Sequence, residues 1–65
     1  MKVILNGKAI ETQCITILEL LHENGIEETK VAVEVDEAIV PKSKLSQFTI
    51  TENSNIEIIT FVGGG

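Results

Sequence analysis

Three consecutive glycines, Gly63, Gly64 and Gly65, stand at the C-terminal end of the sequence and are the residues best placed for chemistry. The last of them carries the α-carboxylate, and a segment without Cβ atoms can enter a channel too narrow for other residues. Gly65 is therefore the candidate for a reactive group that another enzyme activates, with Gly64 giving access to it and Gly63 extending the reach of the tail. The competing interpretation is a frayed end or an engineered remnant, because chain termini are commonly poorly ordered.

The other residues with reactive side chains are interpreted as structural or solvated. Cys14 has no positively charged neighbour in sequence that would lower the pKa of its thiol, so a nucleophilic role is not favoured. His22 stands beside an acidic residue and is typical of a solvated helix face. Lys42 and Lys44 could contact an acidic or phosphate-bearing partner, although surface lysines are common. The sequence contains no metal-ligand spacing, no phosphate-binding loop and no catalytic triad.

The composition narrows the classes of function. Of the 65 residues, 43% are hydrophobic and only two are aromatic, and the net charge is −5 with lysine as the only basic residue type besides one histidine. Phosphate contacts need a basic surface, so nucleic acid is excluded as a partner and a basic protein partner is favoured. No apolar run reaches the length of a membrane span, no signal peptide is visible, and one unpaired cysteine fits a reducing compartment. We therefore expect a cytoplasmic protein with no membrane association.

The elements that would position the glycines begin with a hairpin. Two strands, Met1–Leu5 and Lys8–Thr12, flank the dipeptide Asn6-Gly7. This dipeptide between apolar runs is the strongest short-range signal for a type I′ turn, which needs positive φ at both central residues.

A short helix is predicted after the hairpin, from Ile17 to Asn24. Thr16 and Glu19 form a capping box at its start, and Gly25 follows its last turn as a C′ residue. At two turns the helix is too short to be stable alone, so it must pack against the sheet.

Three further strands are predicted from alternating or continuous apolar runs: Val31–Val35, Ala38–Val40 and Ile56–Val62. Between the last two, Leu45 and Phe48 are expected to anchor an irregular segment in the core. The order of elements indicates an α+β fold, with one helix packed on one face of a mixed sheet of four to five strands. We expect a single domain over residues 1–65, with a flexible C-terminal tail at 63–65.

One helix can cover only one face of such a sheet, which leaves apolar side chains on the other. Side chains alternate along a strand, so Ile59 and Phe61 point away from Ile56, and Ile4 points away from Val3 and Leu5. An exposed apolar patch commonly marks an interaction site. We predict that Ile4, Ile59 and Phe61 bind a partner protein, against the alternative that the core wraps both faces.

Three stretches of the sequence are specific enough to resemble a known family, and the similarity extends over essentially the whole chain. They are Met1 to Lys8, Val31 to Lys42, and Ile56 to Gly65 with its terminal glycines. The chain resembles the ubiquitin-like sulfur carrier proteins of thiamine biosynthesis, the ThiS family. It departs from the family pattern at Asp36-Glu37, where the family often has Asn-Gly, at Lys42, where it often has Arg, and at Asn53-Ser54-Asn55, where it usually has Asp-Gly-Asp.

The resemblance implies a β-grasp fold and a carrier role rather than catalysis, with no cofactor bound. In the family, an adenylyltransferase of the ubiquitin-E1 type (ThiF type) uses ATP to adenylate the terminal glycine, here Gly65. Sulfur from a cysteine desulfurase pathway then gives a thiocarboxylate. A thiazole synthase (ThiG type) takes that sulfur to build the thiazole ring.

Three other functions remain open from the sequence. The chain could carry sulfur in another pathway, as the small subunit of molybdopterin synthase does, although that family tends to be longer. It could be a ubiquitin-like modifier whose terminal glycine is joined to lysines of target proteins. It could also be a plain interaction domain with a passive glycine tail.

Overall fold

A five-stranded mixed sheet with one helix on one face forms the part of the chain described by the computed structural model, residues 1–61. The strands are β1 (Lys2–Leu5), β2 (Lys8–Glu11), β3 (Val31–Val35), β4 (Ala38–Val40) and β5 (Asn55–Thr60), and the helix is α1 (Ile17–Glu23). The sheet order is β2-β1-β5-β3-β4; β1 and β5 are parallel and the other three pairings are antiparallel. The predicted α+β architecture is confirmed. The predicted tail and the end of the predicted last strand lie outside the described residues.

Two hairpin turns have left-handed backbone conformations at both central residues. In the turn between β1 and β2, Asn6 has φ 51° and Gly7 has φ 82°, as the sequence predicts. In the turn between β3 and β4, Asp36 has φ 51° and Glu37 has φ 75°, although neither residue is a glycine. A Cβ in this region is close to the following carbonyl oxygen and costs about 1–2 kcal/mol, least for Asn and Asp.

We expect the substitution Glu37→Gly to raise the free energy of unfolding by about 0.5–1 kcal/mol. Glycine removes the strain of the left-handed conformation, and this gain exceeds the entropy that glycine adds to the unfolded chain. Urea denaturation measures the change. Ala38→Gly, at the exposed and extended neighbour in β4, is the control and should lower stability. A loss of stability in both variants would contradict the strain at Glu37.

The helix is capped by hydrogen bonds at both ends, from side chains at its start and from the backbone at its end. Thr16 Oγ1 accepts from the Glu19 amide at 3.2 Å, and Glu19 Oε1 accepts from the Thr16 amide at 3.3 Å, which forms the predicted capping box. At the other end the Gly25 amide donates to His22 O and the Ile26 amide donates to Leu21 O, the two bonds of a Schellman motif. The helix therefore begins and ends where its capping residues require.

The first helical amides bond to the segment that connects β4 to β5. The Ile17 amide donates to Phe48 O at 3.0 Å and the Leu18 amide donates to Leu45 O at 3.1 Å. These amides have no partner within a helix, so the connecting segment satisfies them and is held against the helix in return.

The hydrophobic core lies between the helix and one face of the sheet. Its buried members are Val3, Ile17, Leu20, Leu21, Val31, Val33, Val35, Val40, Leu45, Ile50 and Ile56. Leu45 is buried as predicted, but Phe48 is not: it remains 37% exposed. The connecting segment contributes Leu45 and Ile50 to the core, while Phe48 contacts the helix through its carbonyl oxygen. The side chain of Phe48 lines a surface cavity beside β4.

Candidate functional site

The chain leaves the sheet beside the N-terminal end of β3. The Phe61 amide donates to Lys30 O at 3.1 Å, so the pairing with β3 continues one residue past β5. Lys42 Nζ lies 5.6 Å from the centroid of the Phe61 ring and also donates to Glu28 O at 2.9 Å and Val31 O at 3.1 Å. The lysine thus joins three segments at the point of departure. Beyond this point the chain continues to the three glycines, Gly63, Gly64 and Gly65, which lie outside the described residues.

The sheet face opposite the helix carries two adjacent rows of side chains. The apolar row begins with Ala32 and Ile59, which are directly opposite each other in the β3–β5 pairing. Phe61, two residues after Ile59, completes it. Ile59 is 45% exposed and Phe61 is 55% exposed. Phe61 and Ala32 also line a cavity of about 150 Å³, together with residues of β3, β4 and the segment that follows β4. The core therefore does not cover these side chains in the described part of the chain.

The second row is acidic and lies one step along the strands from the apolar row. Glu34 and Glu57 are directly opposite each other in the same β3–β5 pairing. Ile39 of the edge strand β4 is opposite Glu34 on the other side and is 64% exposed. The acidic row is thus flanked by Ile39 across the sheet and by the apolar row along it.

The structure brings together two of the three residues predicted to bind a partner. Ile59 and Phe61 are neighbours on the open face, whereas Ile4 is half-buried and opposite Asn55, at the other end of β5. The prediction also missed Ile39, which among residues 1–61 is the most exposed large hydrophobic side chain. The sequence contains no local signal for this exposure, because it depends on β4 lying at the edge of the sheet.

Cys14 is arranged as a structural residue. Its Sγ donates to Glu23 Oε1 at 3.0 Å, and its amide donates to Thr12 Oγ1 at 3.0 Å. Burial raises the pKa of the Cys14 thiol, and the Glu23 carboxylate adds to the increase. A reactive cysteine needs the opposite environment, which agrees with the sequence interpretation.

The remaining titratable groups form no catalytic constellation in the described part of the chain. His22 Nε2 lies 2.9 Å from Glu28 Oε1, and this hydrogen bond holds the pKa of the Glu28 carboxyl below its usual value. Both side chains are solvated. Within residues 1–61, no three His, Cys, Asp or Glu side chains are close enough together to hold a metal ion. None of the helices found there has the length and hydrophobicity to span a membrane.

Comparisons with known proteins agree with the observed fold. A family model described as the ThiS family matches residues 3–65. The crystal structure of a thiamine biosynthesis protein (ThiS) from Geobacter metallireducens superposes with a TM-score of 0.85 over 100% of both chains, at 23% identity. The solution structure of a thiamine biosynthesis protein from the same organism gives 0.80, also at 23% identity, over 100% of this chain and 88% of the other. The expected β-grasp fold is thereby confirmed.

Two curated relatives are more similar in sequence but much longer. The chain is 39% identical over 66 aligned positions to a thiazole synthase of Paramagnetospirillum magneticum and 38% identical to a thiazole synthase of Magnetococcus marinus. All of this chain is covered in both cases, but it spans only 20% of each relative. A segment similar to this chain is therefore part of both thiazole synthases.

Proposed function

The chain belongs to the ThiS family, and from this membership we propose that it is a sulfur carrier of thiamine biosynthesis. The proposal assigns the carried sulfur to Gly65, with Gly64 giving access and Gly63 extending the tail. One observation carries it above all others: the family match continues through the three glycines to residue 65. The glycines are thus part of the family pattern rather than an addition to it.

The proposed chemistry has two steps at the carboxylate of Gly65. A carboxylate with a pKa near about 3.5 is an anion at neutral pH and a poor electrophile. One of its oxygens attacks the α-phosphate of ATP and pyrophosphate leaves, which gives an acyl-adenylate. In the second step the outer sulfur of a donor persulfide displaces AMP, which gives an acyl disulfide. A thiol then attacks the donor's sulfur, so that the thiocarboxylate leaves and the donor and the thiol remain joined as a disulfide. Attack at the α-phosphate needs near-attack geometry, and a tail without side chains allows the close approach.

The partners of the proposal supply the catalysis and bind the nucleotide. Activation is assigned to an adenylyltransferase of the E1-like ThiF type, which binds the ATP. The supply of sulfur is assigned to a cysteine desulfurase pathway. The acceptor is assigned to a thiazole synthase of the ThiG type, supported by the similar segments within two thiazole synthases. The chain itself acts as a protein co-substrate in the cytoplasm and needs no cofactor of its own.

The open sheet face is the proposed docking surface for these partners. Ile59 and Phe61 lie where the chain departs toward the glycines, so a partner that holds the tail also reaches them. Ile39 extends this surface across the sheet, whereas Ile4 contributes at its distant end. Exposed apolar patches of this kind on small domains are typical of interaction sites.

The intact mass of the protein tests the proposal. The protein is incubated with ATP, a cysteine desulfurase with cysteine, and the host's adenylating enzyme, and its mass is measured before and after. We expect an increase equal to the exchange of one oxygen for one sulfur, located on Gly65 by fragmentation. An unchanged mass, with the enzyme active on another carrier, would contradict the proposal. An isopeptide-linked adduct on a lysine would instead identify a protein modifier.

A further inference from the structure

We propose that the protein surface that receives the tail places an arginine or lysine between Glu34 and Glu57, beside an apolar group that covers Ile59 and Phe61. The inference rests on the proposed function, because the docking partner is the enzyme that activates Gly65. It adds the chemistry of the partner surface, which is basic where it meets the acidic row and apolar where it meets the apolar row.

The acidic row has no explanation within the fold. Glu34 and Glu57 are cross-strand partners on β3 and β5, and like charges directly opposite in an antiparallel pair lower stability. Neither carboxylate takes part in an ion pair in the part of the chain that the structure describes. The net charge of −5 adds to their repulsion. A cation from a partner would relieve this repulsion, and sites that break a local rule of stability are commonly functional.

The surroundings of the acidic row favour a long basic side chain. Ile39 and Ile59 flank the carboxylates and are 64% and 45% exposed. An arginine or lysine can lay its methylene groups along such apolar surface while its charged head reaches the carboxylates. Guanidinium is the better fit, because its planar fork can bond two carboxylates at once and it is less strongly hydrated than ammonium.

Both rows lie near the departure point of the tail. Positions two residues apart on a strand are separated by about 7 Å. The distance from Glu57 through Ile59 to Phe61 is therefore about 14 Å. One patch of partner surface covers that distance. The helix and the core occupy the other face of the sheet, so this face is the one that the fold leaves available next to the tail.

The double variant Glu34→Gln/Glu57→Gln tests the inference. ATP-dependent loading by the host's adenylating enzyme is followed as pyrophosphate release, at low and at moderate salt. We expect the KM for the carrier to rise about fivefold to tenfold at low salt with kcat unchanged, and the difference from the wild type to shrink as salt increases. Urea denaturation should show equal or higher stability, because two like charges have been removed from facing positions.

The control is Glu11→Gln/Glu27→Gln, which changes the net charge by the same amount at exposed positions outside both rows. Each of these glutamates makes only a surface ion pair, at 3.3 and 3.8 Å. A KM change below about twofold is expected, because such pairs and distant charges contribute little. An equal KM increase in both double variants, or an unchanged KM in the first, would overturn the inference while leaving the proposed function in place. Failure of the wild type to load would reject both.

Discussion

A chain that ends at Gly64 is expected to acquire no sulfur, although its fold and stability are those of the full chain. Removing Gly65 moves the terminal carboxylate back by one residue, about 3.3–3.6 Å along an extended tail. Adenylation needs the reacting atoms about 3–3.5 Å apart, and a misplacement of 1 Å can cost about 10²-fold in rate. On the proposed function, the domain cannot shift to recover this distance, because it is held at Ile59 and Phe61 by the proposed docking surface.

Two measurements separate this effect from loss of structure. Intact mass after incubation with ATP, sulfur donor and adenylating enzyme reports loading, and urea denaturation reports stability. Within residues 1–61 the core residues lie between Val3 and Ile56, so we expect the free energy of unfolding not to change. Gly63→Ala keeps the length of the tail and is the matched control, with loading expected to persist. Normal loading of the shortened chain would show that Gly65 does not carry the sulfur.

The base of the tail shows how a small domain can present a segment without side chains. Lys42 donates to two backbone carbonyls and lies against the ring of Phe61, and the Phe61 amide bonds to β3. These contacts fix the position from which the tail starts. Functional groups held on rigid elements are positioned more precisely than those on loops. On the proposed function, the domain provides the recognition and the glycines enter the partner's channel.

Local chemistry made much of this fold predictable. Asn6-Gly7 has the positive φ values that its turn type demands, and Thr16 with Glu19 forms the capping box that begins the helix. The alternation along β3 is reproduced as a buried and half-buried pattern. In each case the determining interaction lies within a few residues, so a single sequence contains it.

The features that escaped prediction depend on contacts far apart in sequence. Whether Phe48 or Ile50 fills the core depends on how the connecting segment meets the helix, through the bond between the Ile17 amide and Phe48 O. The exposure of Ile39 depends on β4 lying at the sheet edge. The facing of Glu34 and Glu57 depends on the register between β3 and β5. None of these is set by local propensity. Ile39 belongs to the proposed docking surface, and Glu34 and Glu57 form the acidic row beside it.

Replacing Leu20 by alanine is expected to have the largest effect on stability of any substitution considered. Leu20 is fully buried between the helix and the sheet, and a buried Leu→Ala change costs about 2–5 kcal/mol. A domain of this size has about 3–10 kcal/mol in total. A large part of the Leu20→Ala population should therefore be unfolded at 37 °C. Leu18→Ala, the same change at a half-buried position of the same helix, should cost clearly less.

The Leu20→Ala variant also separates recognition of the domain from recognition of the tail, because it leaves the glycines intact. If the adenylating enzyme recognises the open face, loading should fall in proportion to the folded fraction measured by circular dichroism. Lowering the temperature, which restores the fold of a marginal variant, should restore loading as well. Undiminished loading of the unfolded chain would mean that the glycine tail alone is recognised, and the sheet face would then have no part in activation.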